Sequence, residues 1–181
     1  VIWRQGLLIA SIIFVADVIQ ATLLSRLGIP GATPDLLVVS VVALALALGP
    51  TQGAVAGFLA GALVDISPPS DTPLGVNSLV YLVIGFATGF VIDPRDRTVW
   101  VSMGLVGLST AGAALATAGI DSLLGSPRVI WSEVPSVVLS SALYGVLLAP
   151  FVIPAVAWLA ARLAPVPPAE LRLPTRITDM S

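Results

Sequence analysis

Long apolar runs alternate along the chain with short breaks, and the breaks hold nearly all of the charge and much of the Pro and Gly. A membrane-crossing helix needs about 20 mostly apolar residues, with a range of about 17–25. The first such run extends from Gly6 to Leu24 and is broken by Gly28-Ile29-Pro30-Gly31, since Pro and Gly together end a helix and turn the chain. The stretch from Pro34 to Val64 is too long for one helix and is interrupted at Gly49-Pro50. It predicts two short helices of about 15 residues each, a tight hairpin near the lower limit for a full crossing. A polar, proline-rich loop follows from Asp65 to Pro73, then a fourth helix from Leu74 to Ile92 and the charged break Asp93 to Arg97. The fifth helix covers Val99 to Leu124 and the sixth Pro135 to Leu163, with Arg128 and Glu133 in the loop between them.

The pattern therefore predicts an all-α polytopic membrane protein with about six transmembrane helices over residues 1–163. Residues 164–181, which contain Pro165, Pro167, Pro168 and Pro174, read as an extended, disordered cytoplasmic tail. The first helix has no small-residue cleavage site after it and reads as a retained segment, not a signal peptide. Arginine placement sets the orientation. With both termini cytoplasmic, Arg4, Arg95, Arg97, Arg162, Arg172 and Arg176 fall inside, against Arg26 and Arg128 outside. A five-helix count would remove that bias.

Composition strengthens the membrane reading. Hydrophobic residues are 57% and charged residues 10% of the 181 positions, where a soluble domain carries roughly 25% charged; the mean hydropathy is +1.04. There is no His and no Cys, and all eight basic residues are Arg. Thiol and imidazole chemistry, disulfides and zinc sites built on those ligands are excluded, as is a Ser-His-Asp triad. A net charge of −2 gives no reason to expect a nucleic-acid partner. No cofactor or metal is expected.

Gly53, Gly57, Gly61 and Asp65 recur every four residues and share one helix face. Gly85 and Gly89 repeat the spacing on the fourth helix. Small residues at this interval let membrane helices approach closely, either within the chain or against another subunit. Asp65, at the outer end of that face, reads either as an interfacial residue opening the polar loop or as a carboxylate fixing the loop through its backbone amides; a carboxylate near hydrocarbon must face protein or water. Asp17 and Gln20 lie mid-span at i and i+3 and suggest an interhelical hydrogen-bonding pair, a protonated buried carboxyl, or a partner contact. Asp121 reads as interfacial. Trp3, Trp100, Trp131 and Trp158 sit near span ends, as an aromatic belt would.

The order Gln20-Ala21-Thr22-Leu23-Leu24, Pro34-Asp35-Leu36-Leu37, Gly49, Gly53, Gly57-Phe58, Gly61, Asp65, Gly75-Val76-Asn77-Ser78-Leu79, Tyr81, Gly85 and Gly89 resembles MreD, the rod shape-determining membrane protein family. The motif core spans residues 20–90; the second half agrees in hydropathy alone. The resemblance implies a non-enzymatic membrane scaffold of the bacterial cytoplasmic membrane. Its implied partners are MreC, the actin-like MreB, the RodA glycosyltransferase and a class B penicillin-binding protein, in lateral peptidoglycan synthesis and cell-shape maintenance. It carries over structural or contact roles to Pro34, Asp35, Gly53, Gly57, Gly61, Asp65, Gly75 and Asn77, and no catalytic residue. The weakly basic N-terminus and the Pro-rich tail match no family pattern. A competing reading is the small-molecule-binding subunit of an energy-coupling-factor-type transporter. It would need a polar pocket lined by residues such as Asp17, Gln20, Asp65 and Asn77, and Ala10, Ala16 and Ala21 lack the four-residue alanine spacing those subunits show. An integral membrane enzyme would have to work with Asp, Glu, Arg, Tyr and Ser alone.

Overall fold

A computed structural model describes residues 2–22, 34–67, 74–91, 98–125 and 130–163. The described residues form six α-helices: α1 (Ile2–Thr22), α2 (Leu36–Leu48), α3 (Pro50–Ile66), α4 (Val76–Val91), α5 (Val99–Leu123) and α6 (Val134–Leu163). The break at Gly28 to Gly31, most of the proline-rich loop, the Asp93 to Arg97 segment, Arg128 and the tail from Ala164 lie outside the described residues. Three helices are long and apolar enough to cross a membrane, over Gln5–Thr22, Val99–Leu123 and Val134–Arg162. Helices α2 and α4 are apolar but shorter.

The helix boundaries follow local chemistry. Gly49 sits between α2 and α3 at φ 98°, a left-handed conformation that favours glycine. Pro50 then occupies the first turn of α3, where its missing N–H removes no intrahelical bond. Helix α3 runs on to Ile66, so Asp65 belongs to its last turn and does not open the loop. Leu74 and Gly75 form a turn and α4 starts at Val76. Helix α6 contains Pro150 and Pro154 without breaking; each removes one backbone bond, a defect that neighbouring helices can accommodate in membranes.

Helix α2 is the centre of the bundle. Its sequence, LLVVSVVALALAL, is apolar on every face, which in a folded protein marks a helix buried all round. It touches each of the other five helices, and Leu37, Val38, Val39, Val41, Val42 and Leu44 are fully buried. At 13 residues it is only about 20 Å long, shorter than the roughly 30 Å hydrocarbon core. The outer surface is carried by large apolar side chains such as Phe14, Leu108, Leu139, Leu147 and Phe151. Truncation at the centre should therefore be felt far more than truncation outside. Leu44→Ala is expected to cost roughly 2–5 kcal/mol, while Leu147→Ala stays within about 0.5 kcal/mol, read by reversible unfolding in mixed micelles.

Candidate functional site

Two helix N-termini, those of α2 and α4, begin beside other helices and not in open solvent. The first amides of a helix have no intrahelical acceptor, and an unsatisfied N–H in a low-dielectric setting costs several kcal/mol. At α2 the problem is solved by two side chains. Asp35, the N-cap residue, accepts from the Val38 amide at 3.0 Å. Gln20, reaching from α1, accepts with Oε1 from the Leu37 amide, also at 3.0 Å. The second carboxylate oxygen of Asp35 accepts from the Tyr81 hydroxyl on α4. Pro34, buried, leads directly into this cap.

At α4 the cap comes from a different helix. Asp65 of α3 is 2% exposed, so it faces protein. Its Oδ2 accepts from the Gly75 amide at 3.0 Å, the Ser78 amide at 3.1 Å and the Ser78 hydroxyl at 2.7 Å. Its Oδ1 accepts from the Asn77 amide at 3.2 Å and from Asn77 Nδ2 at 3.0 Å. One carboxylate thus serves three backbone donors and two side-chain donors in the first turn of α4. The positive end of the helix dipole adds to its stabilisation. Gly75, at φ 100°, supplies the turn that lets the chain present those amides.

Below this cap, α3 and α4 pack antiparallel along a seam without side chains. A Cβ on Gly61 would strike the backbone of Asn77 and Ser78, one on Gly57 the Tyr81 carbonyl, and one on Gly53 the Gly85 carbonyl. A Cβ on Gly89 would strike Pro50 and Gly49. All of these approaches lie under 3.0 Å, a separation that real Cβ atoms essentially never show. Glycine at each position is therefore what lets the two backbones meet. The glycine face that the sequence leaves open to a neighbour or a partner is occupied by α4 of the same chain.

Gln20 and Asp17 are not joined to one another by a hydrogen bond among the described residues; Asp17 is half-buried on α1, and Gln20 is taken by Leu37. Of Asp17, Gln20, Asp65 and Asn77, Asn77 alone lines the polar cavity between α4, α5 and α6. Sequence reasoning did not single out Ser78 or the Tyr81 hydroxyl. A signal was present: Asn77-Ser78 stands where the first turn of a helix offers donors, within a four-residue glycine register shared with Asp65. Among the described residues no group of three or more carboxylates could hold a metal ion.

Comparison with known proteins finds one family match: the model described as rod shape-determining protein MreD matches residues 3–156. No curated protein and no solved structure matches the chain.

Removing the remote cap should be costly. Asp65→Ala strands the Asn77 and Ser78 amides and is expected to lose roughly 3 kcal/mol or more. Asp65→Asn recovers only part of this, because its NH2 group must face donors. Gly57→Ala forces the seam apart and is expected to cost about 1–3 kcal/mol. Gly112→Ala, whose Cβ would meet nothing within 4 Å, should be neutral or stabilising by up to about 1 kcal/mol. Thermal unfolding of the purified protein in a neutral detergent orders the four variants.

Proposed function

The chain belongs to the MreD family of rod shape-determining membrane proteins, and from that premise we propose that it is a non-enzymatic scaffold of the cell-elongation machinery in the bacterial cytoplasmic membrane. In this reading six helices are embedded in the bilayer, with the N- and C-termini cytoplasmic. The arginine bias supports that orientation. The ends of α1, α5 and α6 fall at lengths that suit a span. Helices α2 and α4 are shorter, and α2 is screened from lipid by its neighbours, so its polar ends face protein.

The observation that carries the scaffold reading is the distribution of packing surfaces. The small-residue seam is closed within the chain between α3 and α4, which makes the inner bundle a preassembled unit. Contacts with partners are then left to the outer faces. These expose Leu7 and Phe14 on α1, Trp100 and Leu108 on α5, and Leu143 and Leu147 on α6. MreC is the partner we assign to these faces, with MreB, RodA and a class B penicillin-binding protein reached through the same assembly. Membrane lipids cover what partners leave free.

The chain has no cysteine, which makes single-cysteine cross-linking clean. Phe14→Cys, Leu108→Cys and Leu143→Cys are expected to give a cross-link to co-expressed MreC at one or more outer faces, while Leu44→Cys, in the centre of the bundle, gives none. Depletion of the protein should turn rods into rounded cells. Loss of all three outer cross-links together with unchanged cell shape on depletion would overturn the scaffold role.

A further inference from the structure

Helices α1 and α6 both pack on α2 but meet each other only briefly, which leaves a groove of about 370 Å³ between them. Ile12, Val15 and Ile19 form one wall, Phe151 and Leu159 the other, and buried Leu36 of α2 is part of the floor. The lining is apolar almost throughout. Ser11, at the edge, donates its hydroxyl to the Leu7 carbonyl of its own helix at 2.7 Å, so it offers no donor to an occupant.

The groove has a defined mouth. The Gln20 bond to Leu37 puts the end of α1 beside the start of α2, and Asp35 shares a cavity with Val137 and Ser141 of early α6. The start of α1 and the end of α6 therefore lie together at the opposite end of the bundle. The start of α5 joins them, because Val99 shares a pocket with Ala47 and Ala157. Trp3, Trp100 and Trp158, all exposed, stand at this end, as tryptophans do at a membrane–water interface. Arg162 lies over Trp158, its guanidinium carbon 4.2 Å from the ring centroid. On α6 it follows Ala155 by seven residues, two turns along the same face, so it continues the groove wall to the interface. On α1, Arg4 precedes Ser11 by seven residues and stands at the same register.

Length and texture decide the occupant. From Phe151 to Leu159 the wall covers eight residue steps, about 12 Å, less than half of the roughly 30 Å hydrocarbon core. That is the reach of an acyl chain in one leaflet and too short for a crossing helix. The small residues Ala16 and Ala155 stand singly among Ile12, Val15, Ile19, Phe151 and Leu159, so the close backbone approach that joins membrane helices has no seam here. A flexible chain fits such a surface, and a cation at its mouth suits an anionic headgroup.

We propose that this groove holds one acyl chain of an anionic phospholipid, with Arg162 receiving the headgroup phosphate and Arg4 adding to the charge at the mouth. With the orientation proposed above, the lipid belongs to the cytoplasmic leaflet. The site depends on the bundle being embedded in a bilayer and not on the scaffold role.

The test takes the full chain in mixed micelles holding equal amounts of palmitoyl-oleoyl phosphatidylglycerol and the matching phosphatidylcholine, with retained lipid counted by native mass spectrometry. One phosphatidylglycerol per chain is expected, preferred over phosphatidylcholine by about fivefold for each arginine engaged. Arg162→Gln should lower that preference, Arg162→Lys should keep it, and Arg4→Gln/Arg162→Gln should abolish it. Ala155→Trp, which fills the groove, should remove the retained lipid, while Leu115→Trp, on the outer face of α5, should not. Unfolding temperatures are recorded for every variant, and the arginine variants, altered at an exposed helix end, decide the matter where Ala155→Trp fails to fold. Free glycerol phosphate should not displace the lipid. The proposal is overturned by equal retention of the two lipids, by a preference that survives the double arginine variant, by displacement with glycerol phosphate, or by retention unchanged in folded Ala155→Trp. A cross-link from Val15→Cys to co-expressed MreC would assign the groove to a partner helix and overturn it as well.

Discussion

A helix that begins inside a protein must find acceptors for its first amides, and in this chain that requirement organises the whole of one end of the bundle. Helix α2 meets it with Asp35 and with Gln20 from α1. Helix α4 meets it with Asp65 from α3. The second solution has a consequence that a local cap would not have. A Ser or Asp just before α4 would cap it wherever the helix went; a cap delivered from α3 operates only when α3 and α4 are already in register. The cap therefore selects one alignment of the two helices, and the glycines below it are useful in that alignment alone. Shifted by one residue, Gly53, Gly57 and Gly61 would rotate off the contact, and Ala54, Phe58 and Ala62 would take their places.

The buried α2 imposes the complementary constraint. A helix apolar on all sides gains nothing from any one partner in a lipid environment, because lipid tails are as apolar as leucine. What holds it at the centre is packing density and the polar groups at its two ends. Gly49 at the far end turns the chain straight into α3, and the cap at the near end ties it to α1 and α4. The long helices α5 and α6 close against it with a less strict seam. There Gly107 meets the Val146 side chain and Gly145 meets Thr110, side-chain contacts that can yield in a way that backbone contacts cannot. The bundle thus has a rigid half, α2 to α4, and a half whose packing has more room, and the cavity lies where the two halves meet.

Much of this architecture was legible in the residues. Apolar runs placed all six helices, because a span's length and its Gly-Pro breaks are local properties. The four-residue spacing of Gly53, Gly57 and Gly61 put them on one face, because helical periodicity fixes that directly. What periodicity does not contain is which surface they meet. The answer depended on an antiparallel register with Asn77, Tyr81 and Gly85 that is set by tertiary structure. The same limit explains Gln20. Spacing on one helix pairs it with Asp17, but the first-turn amide of Leu37 on another helix is a donor without an intrahelical acceptor, and it donates to the glutamine oxygen. Asp65 was legible as anomalous, a carboxylate beside hydrocarbon, yet its five donors come from residues ten to thirteen positions away across the loop.

Tyr81 connects these separate features. Its backbone carbonyl lies against Gly57, which makes it part of the seam. Its hydroxyl donates to Asp35, which makes it part of the cap on α2. Its ring lines the cavity between the two halves of the bundle. A residue in three such roles cannot move in one without altering the others: a shift of the ring toward α5 would draw its hydroxyl from Asp35, and a shift of the α4 backbone would open the seam at Gly57. One side of the cavity is for that reason tied to the α3–α4 seam through Tyr81, while most of its lining comes from α5 and α6.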